Sequence, residues 1–201
     1  GNIVTTLDGV YSVSVTGTNR CGTSGNTVTR NLRVDTTPAQ LTSPSPLLPL
    51  NRLQVELDGT SPVGTQASVS VNGVPSTLGV SDAGTWEAPR TLQVGSNAIL
   101  VRSADLAGGL GTQTPYTLEV VLTEVQSPLP GELVAPQVSF FGKAAPGTSL
   151  HYVVDSDAGW VGDAPVYPDA GWAFGLSLPT GPHTLVATDI DTLGVSDPAP
   201  R

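Results

Sequence analysis

A segment that recurs at fixed spacing constrains this chain more than any other feature of it. Leu92 to Gly108 and Leu178 to Gly194 share a Leu, a Gly, an Asp and a closing Gly at an offset of 86 residues. Trp86 and Trp172 keep the same offset, and Asp82-Ala83-Gly84 returns as Asp169-Ala170-Gly171. Upstream, Gly59 and Gly64 align with Gly142 and Gly147, and Gly9 stands one period before Gly95. Several residue types holding one spacing across three places mark a tandem repeat whose unit has the size of a small domain.

Each copy is written in strand grammar. Tyr11, Val13 and Val15 alternate with Ser12, Ser14 and Thr16, the period of two expected when one sheet face is buried. Ala67 to Val71 alternates in the same way and runs into Asn72-Gly73, a hairpin-turn signal. Ile99 and Val101 sit beside polar Arg102 and Ser103, and Tyr116 to Val120 alternates again. The chain holds 23 Gly and 18 Pro, which punctuate turns and weaken helix interiors. No stretch carries helical apolar spacing with caps. The predicted fold class is therefore all-β, with tandem β-sandwich modules.

The joints between copies are also visible. Val34-Asp35-Thr36-Thr37-Pro38 closes the first copy, Ser43 to Pro46 opens the second, and Glu124 to Pro130 separates the second from the third. The predicted modules are residues 1–38, 39–123 and 124–201. Residues 1–36 supply two closing strands, and the third copy reaches Arg201 where its final strand should begin. Both end modules are thus expected to be incomplete. Either the chain is part of a longer repeat protein, or partner chains complete it by strand addition at an open sheet edge.

The Val34-to-Pro38 joint, the steps Gly9-Val10-Tyr11 and Gly95-Ser96-Asn97, and the turn Ser103 to Gly108 resemble the bacterial immunoglobulin-like repeats of large secreted and cell-surface proteins. Copy three departs, with His183 in the Asn position and Thr192-Leu193-Gly194 after its Asp. The resemblance implies immunoglobulin-like or fibronectin-III-like sandwiches and an extracellular or cell-surface, non-catalytic role as a stalk, spacer or adhesion rod. Two alternatives go with it: a subunit of a surface filament assembled by strand exchange, or carbohydrate-binding accessory modules of a secreted hydrolase. The expected partners are neighbouring modules or other protein subunits, with glycans as a further class.

Charge excludes other partners. Seventeen acidic residues against eight basic ones give a net charge of −9, so no basic patch is available for phosphates. Nucleic acid is disfavoured on that ground, and an anionic bilayer would repel the chain. The apolar runs are too short to insert in a membrane. The single Cys21, in the turn after the Tyr11 strand, reads as buried or incidental, with a bridge to an upstream part of module one as the minority reading.

Candidate chemistry is sparse, and no catalytic residue is assigned. His183 takes the place of Asn97 and Tyr11 and reads as a structural corner, while His151 lies in an alternating strand. The acids of copy three are the weak calcium candidates: Asp155 and Asp157 in one segment, Asp189 and Asp191 in another, since hard oxygen ligands from loops suit Ca²⁺. Solvated, capping turns are the competing reading. Trp160 and Tyr167 are candidate sugar-stacking residues. Trp172, in register with Trp86, belongs to the core.

Overall fold

The computed structural model describes residues 7–106, 109–155 and 158–190. Two strands open it, β1 (Gly9–Thr18) and β2 (Ser24–Val34), paired antiparallel with Tyr11 opposite Leu32 and Val15 opposite Val28. One face of this hairpin is a polar ladder. Ser12 donates to Asn31 at 2.9 Å, Ser14 meets Thr29 at 2.8 Å, and Thr16 meets Thr27 at 2.6 Å. The other face carries Tyr11, Val13, Val15, Val28 and Leu32, of which Val15 is 65% and Val28 52% exposed.

Seven strands follow: β3 (Gln40–Ser43), β4 (Gln54–Thr60), β5 (Gln66–Val71), β6 (Val74–Gly79), β7 (Thr85–Thr91), β8 (Gly95–Ala104) and β9 (Thr114–Val120). They form a three-stranded sheet, β3-β4-β7, and a four-stranded sheet, β6-β5-β8-β9, with every pair of neighbouring strands antiparallel. The strands alternate buried and exposed residues, so each sheet turns one apolar face inward. Leu57, Trp86 and Ala88 from one sheet meet Val69, Ile99, Val101 and Leu118 from the other in one core. Each fully buried Leu or Ile there contributes about 1.5–3 kcal/mol. Two sheets of three and four strands in this order make an immunoglobulin-like, fibronectin-III-like sandwich.

The same plan is built again from β10 (Glu124–Ser127), β11 (Gln137–Lys143), β12 (Ser149–Val154), β13 (Val161–Pro165), β14 (Gly171–Ser177) and β15 (Leu185–Ile190). Its sheets are β10-β11-β14 and β13-β12-β15, around a second core. Both first strands shift register in the same place, at Ser43 and Ser127, just before cis Pro44 and cis Pro128. The stretch Glu124 to Pro130, expected as a separator, is therefore half strand. Glu124–Ser127 pairs with β11, and Val125 packs on the core. Among the described residues, which end at 190 in this sandwich, none corresponds to β9.

The second core is repacked rather than copied. Phe140, Tyr152 and Phe174 stand where Leu57, Val69 and Ala88 stand in the first. Their rings stack, Phe174 lying 3.7 Å from Tyr152 and 5.0 Å from Phe140 between centroids. Small residues make the room: Ala187 replaces Val101, Ala164 replaces Leu78 and Gly162 replaces Ser76. A Cβ on Gly162 would lie 2.5 Å from the Tyr152 hydroxyl. Constant total volume with exchanged shapes is the substitution that cores tolerate best.

One contact is not exchanged. Gly59 and Gly142 lie opposite Trp86 and Trp172 on the paired strand. A Cβ on Gly59 would overlap the Trp86 indole and the Gln40 carbonyl, and one on Gly142 would overlap the Glu124 carbonyl and lie 2.6 Å from Trp172 Cζ2. In both sandwiches the indole and the first strand's backbone close on the glycine from the side where a Cβ would stand. Gly59→Ala and Gly142→Ala are each expected to destabilise their own sandwich by about 2–3 kcal/mol, read from shifted denaturant midpoints.

Candidate functional site

The most elaborate polar constellation is a corner that recurs in all three copies. It forms where the chain enters the strand after the conserved Gly. In the first complete sandwich its centre is Asn97, which has no exposed surface. Its Nδ2 donates to Gln93 O at 2.8 Å and Gly95 O at 2.9 Å, and its Oδ1 accepts from the Gln93 amide at 2.9 Å. Asn72, in the β5–β6 turn, completes the corner. Its Nδ2 donates to Asn97 Oδ1, and its Oδ1 accepts from the Ala98 amide, both at 2.9 Å. Asn72 can take this place because the turn holds it at φ 49°, a left-handed conformation that Asn tolerates.

His183 takes the position of Asn97, and Asp155 that of Asn72. Asp155 has φ 55°, its Oδ1 accepts from the Thr184 amide at 2.7 Å, and its Oδ2 meets His183 Nδ1 at 2.5 Å. His183 Nε2 lies 2.9 Å from Pro179 O, the equivalent of Gln93 O. In the β1–β2 hairpin Tyr11 has the same position, and its hydroxyl donates to Leu7 O at 2.7 Å. Tyr, Asn and His thus make one bond, to the carbonyl four residues back. The hydrogen bond to His183, then that from Thr184, hold Asp155 below the usual carboxylate range. The bond to Asp155, then that to Pro179, raise the His183 pKa.

The structure separates the other candidates. Asp155 lies beyond the end of β12, whereas Asp189 pairs opposite Leu150 near the strand's start and is fully buried, accepting from the Ala145 amide at 3.3 Å. Asp157 and Asp191 lie outside the described residues. Among the described residues no group of three or more His, Cys, Asp or Glu is placed to hold a metal ion. Trp160 and Tyr167 flank opposite ends of β13, separated by roughly 20 Å of extended chain. Trp160 packs partly into the core and presents its ring at 88° to His183, while Tyr167 is 53% exposed in the turn before β14.

His151 pairs with Asp163 across β12–β13 at 2.9 Å, on the exposed face. Cys21 is an exposed free thiol, not a buried one. Its turn, closed by Asn19 accepting from the Cys21 and Thr23 amides, projects beyond the hairpin. Trp172 is buried in the core at 2% exposure, like Trp86.

The partnership of Asn72 with Asn97, and of Asp155 with His183, is the feature that sequence reading missed. A three-residue insertion hides it. The offset between copies is 84 residues at the first strand, 83 at β4 and β5 and, by register, 86 from β6 onward, so three more residues lie between paired positions of β12 and β13 than of β5 and β6, and the 3-10 turn Ala158–Trp160 precedes β13. Asn72-Gly73 was the signal available, because a left-handed turn residue beside the corner strand can face it.

No protein-family model matches the chain, and no curated protein does. Among solved structures it is similar to part of a 1.5-MDa bacterial ice-binding adhesin, at 19% identity and TM-score 0.32, covering 95% of this chain and 72% of that one. It is similar to a Ca²⁺-stabilized adhesin with which an Antarctic bacterium binds ice, at 17% identity and TM-score 0.33, covering 93% of this chain. This chain spans 54% of that adhesin structure's length. It is also similar to fibronectin(III)-like modules of Clostridium thermocellum CbhA, at 13% identity and TM-score 0.32, covering 81% of this chain and 90% of that one. The sandwich fold itself follows from the chain's own strand order and register.

Asn97→Ala removes the five hydrogen bonds of a fully buried side chain and leaves the Gln93 amide and carbonyl without their partner. It is expected to cost about 3 kcal/mol in chemical denaturation, with the transition remaining cooperative.

Proposed function

We propose that the chain is a non-catalytic structural repeat region of an extracellular or cell-surface protein, acting as a spacer or adhesion rod. Repetition is the observation that supports this. The Trp-over-Gly contact and the corner recur in successive sandwiches, and what varies between copies is core packing rather than a pocket. Binding and catalytic sites are usually concave and bring several polar groups to one place. Here the polar effort is spent on fastening strands. The division we assign is 1–38, 39–123 and 124–201, with the β1–β2 hairpin as the closing pair of a further module. Tyr11, Val13, Val15 and Leu32 hold the register positions of Asn97, Ile99, Val101 and Leu118, each of which is buried in the complete sandwich.

One observation favours a second reading, a filament subunit joined by strand exchange. In the complete sandwich Leu50 bridges to β9, its amide donating to Glu119 O at 2.8 Å. Its counterpart Leu133 is 99% exposed. A strand added beside β15 would cover it, as β9 covers Leu50.

Pulling single molecules by their ends tests the spacer reading. Each sandwich is expected to yield separately, with length increments of about 300 Å for some 85 residues. Hydrolysis of a polysaccharide by the chain would contradict it. Concentration-dependent growth of long polymers in sedimentation would replace it with the strand-exchange reading.

A further inference from the structure

The corner of the last sandwich differs from its relatives in charge, and this difference has a functional consequence independent of the spacer reading. The Asn72–Asn97 pair is neutral, and its donors and acceptors match at every pH near neutrality. The Asp155–His183 pair is not so arranged. The imidazole faces a carboxylate through Nδ1 at 2.5 Å and a backbone carbonyl through Nε2 at 2.9 Å. Neither partner can donate, so the ring satisfies both only when both of its nitrogens carry hydrogen. A neutral imidazole would leave a lone pair facing one of the two oxygens.

Among the described residues the surroundings add no competing charge. The loop from Pro179 to Thr184 that carries the ring has no other ionisable residue, and the 3-10 turn packed beside it presents the Trp160 indole. Among the described residues, Asp155 is the charged group that faces His183. The carboxylate is fixed in turn, by the Thr184 amide and by an amide–carbonyl bond from Asp155 N to Thr184 O at 2.9 Å.

We infer that Asp155 and His183 form a proton-dependent latch, which fastens the end of β12 to the entry of β15 when His183 is charged and loosens that corner when the ring loses its proton. The sign follows from linkage. His183 is held protonated by the fold, so its contribution is complete below the unfolded value of about 6.5 and is lost as pH rises through its higher folded value. Asp155 runs the other way. Its contribution is present above about 3.9 and is lost as pH falls through its lowered folded value. The latch is therefore strongest between about pH 4 and pH 6.5 and weakens on the alkaline side. The preceding sandwich, with two Asn residues, has no such dependence at its corner. Neighbouring repeats of one chain would then respond differently to the same change of pH, one keeping its corner and the other loosening it.

Imidazole nitrogen NMR of the full chain reads this directly. Expected is an imidazolium pattern for His183, both nitrogens protonated, persisting above pH 6.5, with Asp155→Asn moving the transition downward. A transition at or below 6.5 in the unmodified chain would overturn the inference. Thermal unfolding across pH 5.5 to 8.5 provides the second reading. The double variant D155N/H183N rebuilds the neutral corner already present at Asn72 and Asn97, so it is expected to fold. The midpoint of the last sandwich should fall with rising pH in the unmodified chain and stay level in the double variant. An equal fall in both would place the pH dependence elsewhere and defeat the latch.

Discussion

The structure depends on two half-apolar sheets closing over an indole that lies on glycine. Trp86 and Trp172 reach from the fifth strand of their sandwiches across Gly59 and Gly142. A methyl group there meets backbone as well as ring. Backbone cannot rotate out of the way, so the position admits glycine alone without moving the first strand. This close approach sets how near β3 and β10 come to the core. The core around it is free to change, as the exchange of Leu57, Val69 and Ala88 for Phe140, Tyr152 and Phe174 demonstrates. The Trp–Gly approach is kept in both sandwiches, while side chains around it are exchanged.

The corner performs the complementary task. The core holds the sheets face to face, but the entry to the sixth strand is an edge where backbone groups would otherwise be left to water. A side chain reaching the carbonyl four residues back ties that entry down. Tyr, Asn and His can all do it, because the bond needs only a donor of suitable reach. The choice among them decides what else the corner responds to: a hydroxyl or an amide keeps it neutral, and an imidazole couples it to protons.

Much of this was legible in the sequence. The offset of 86 residues, the alternation in Tyr11 to Val15 and Ala67 to Val71, and the Asn72-Gly73 turn predict tandem sandwiches, and the strands lie where those patterns place them. His183 was readable as a corner residue from its alignment with Asn97 and Tyr11. Three things were not legible. Glu124 to Ser127 looks like a joint because four polar-rich residues ahead of prolines carry little alternation, yet pairing with β11 makes them a strand. Cys21 follows a sheet strand, but it sits in the turn of a hairpin that no second sheet covers among the described residues, and its thiol is exposed. The Asp155–His183 pair escaped notice because three extra residues in one hairpin break the spacing that would have aligned Asp155 with Asn72. Contacts between turns depend on which loops are neighbours, and periodicity carries no information about that.

In β3–β9 and β10–β15 one sandwich plan is built twice, each time around its own core. Hydrogen exchange on the intact chain, followed by mass spectrometry under conditions where whole-unit opening dominates, tests it most directly. The account predicts two populations of protected amides that open independently, one spanning β4, β5, β7 and β8 and the other β11, β12, β14 and β15. Opening of all these strands in a single cooperative step would contradict it, because the repeat would then be a feature of the sequence and not a unit of the structure.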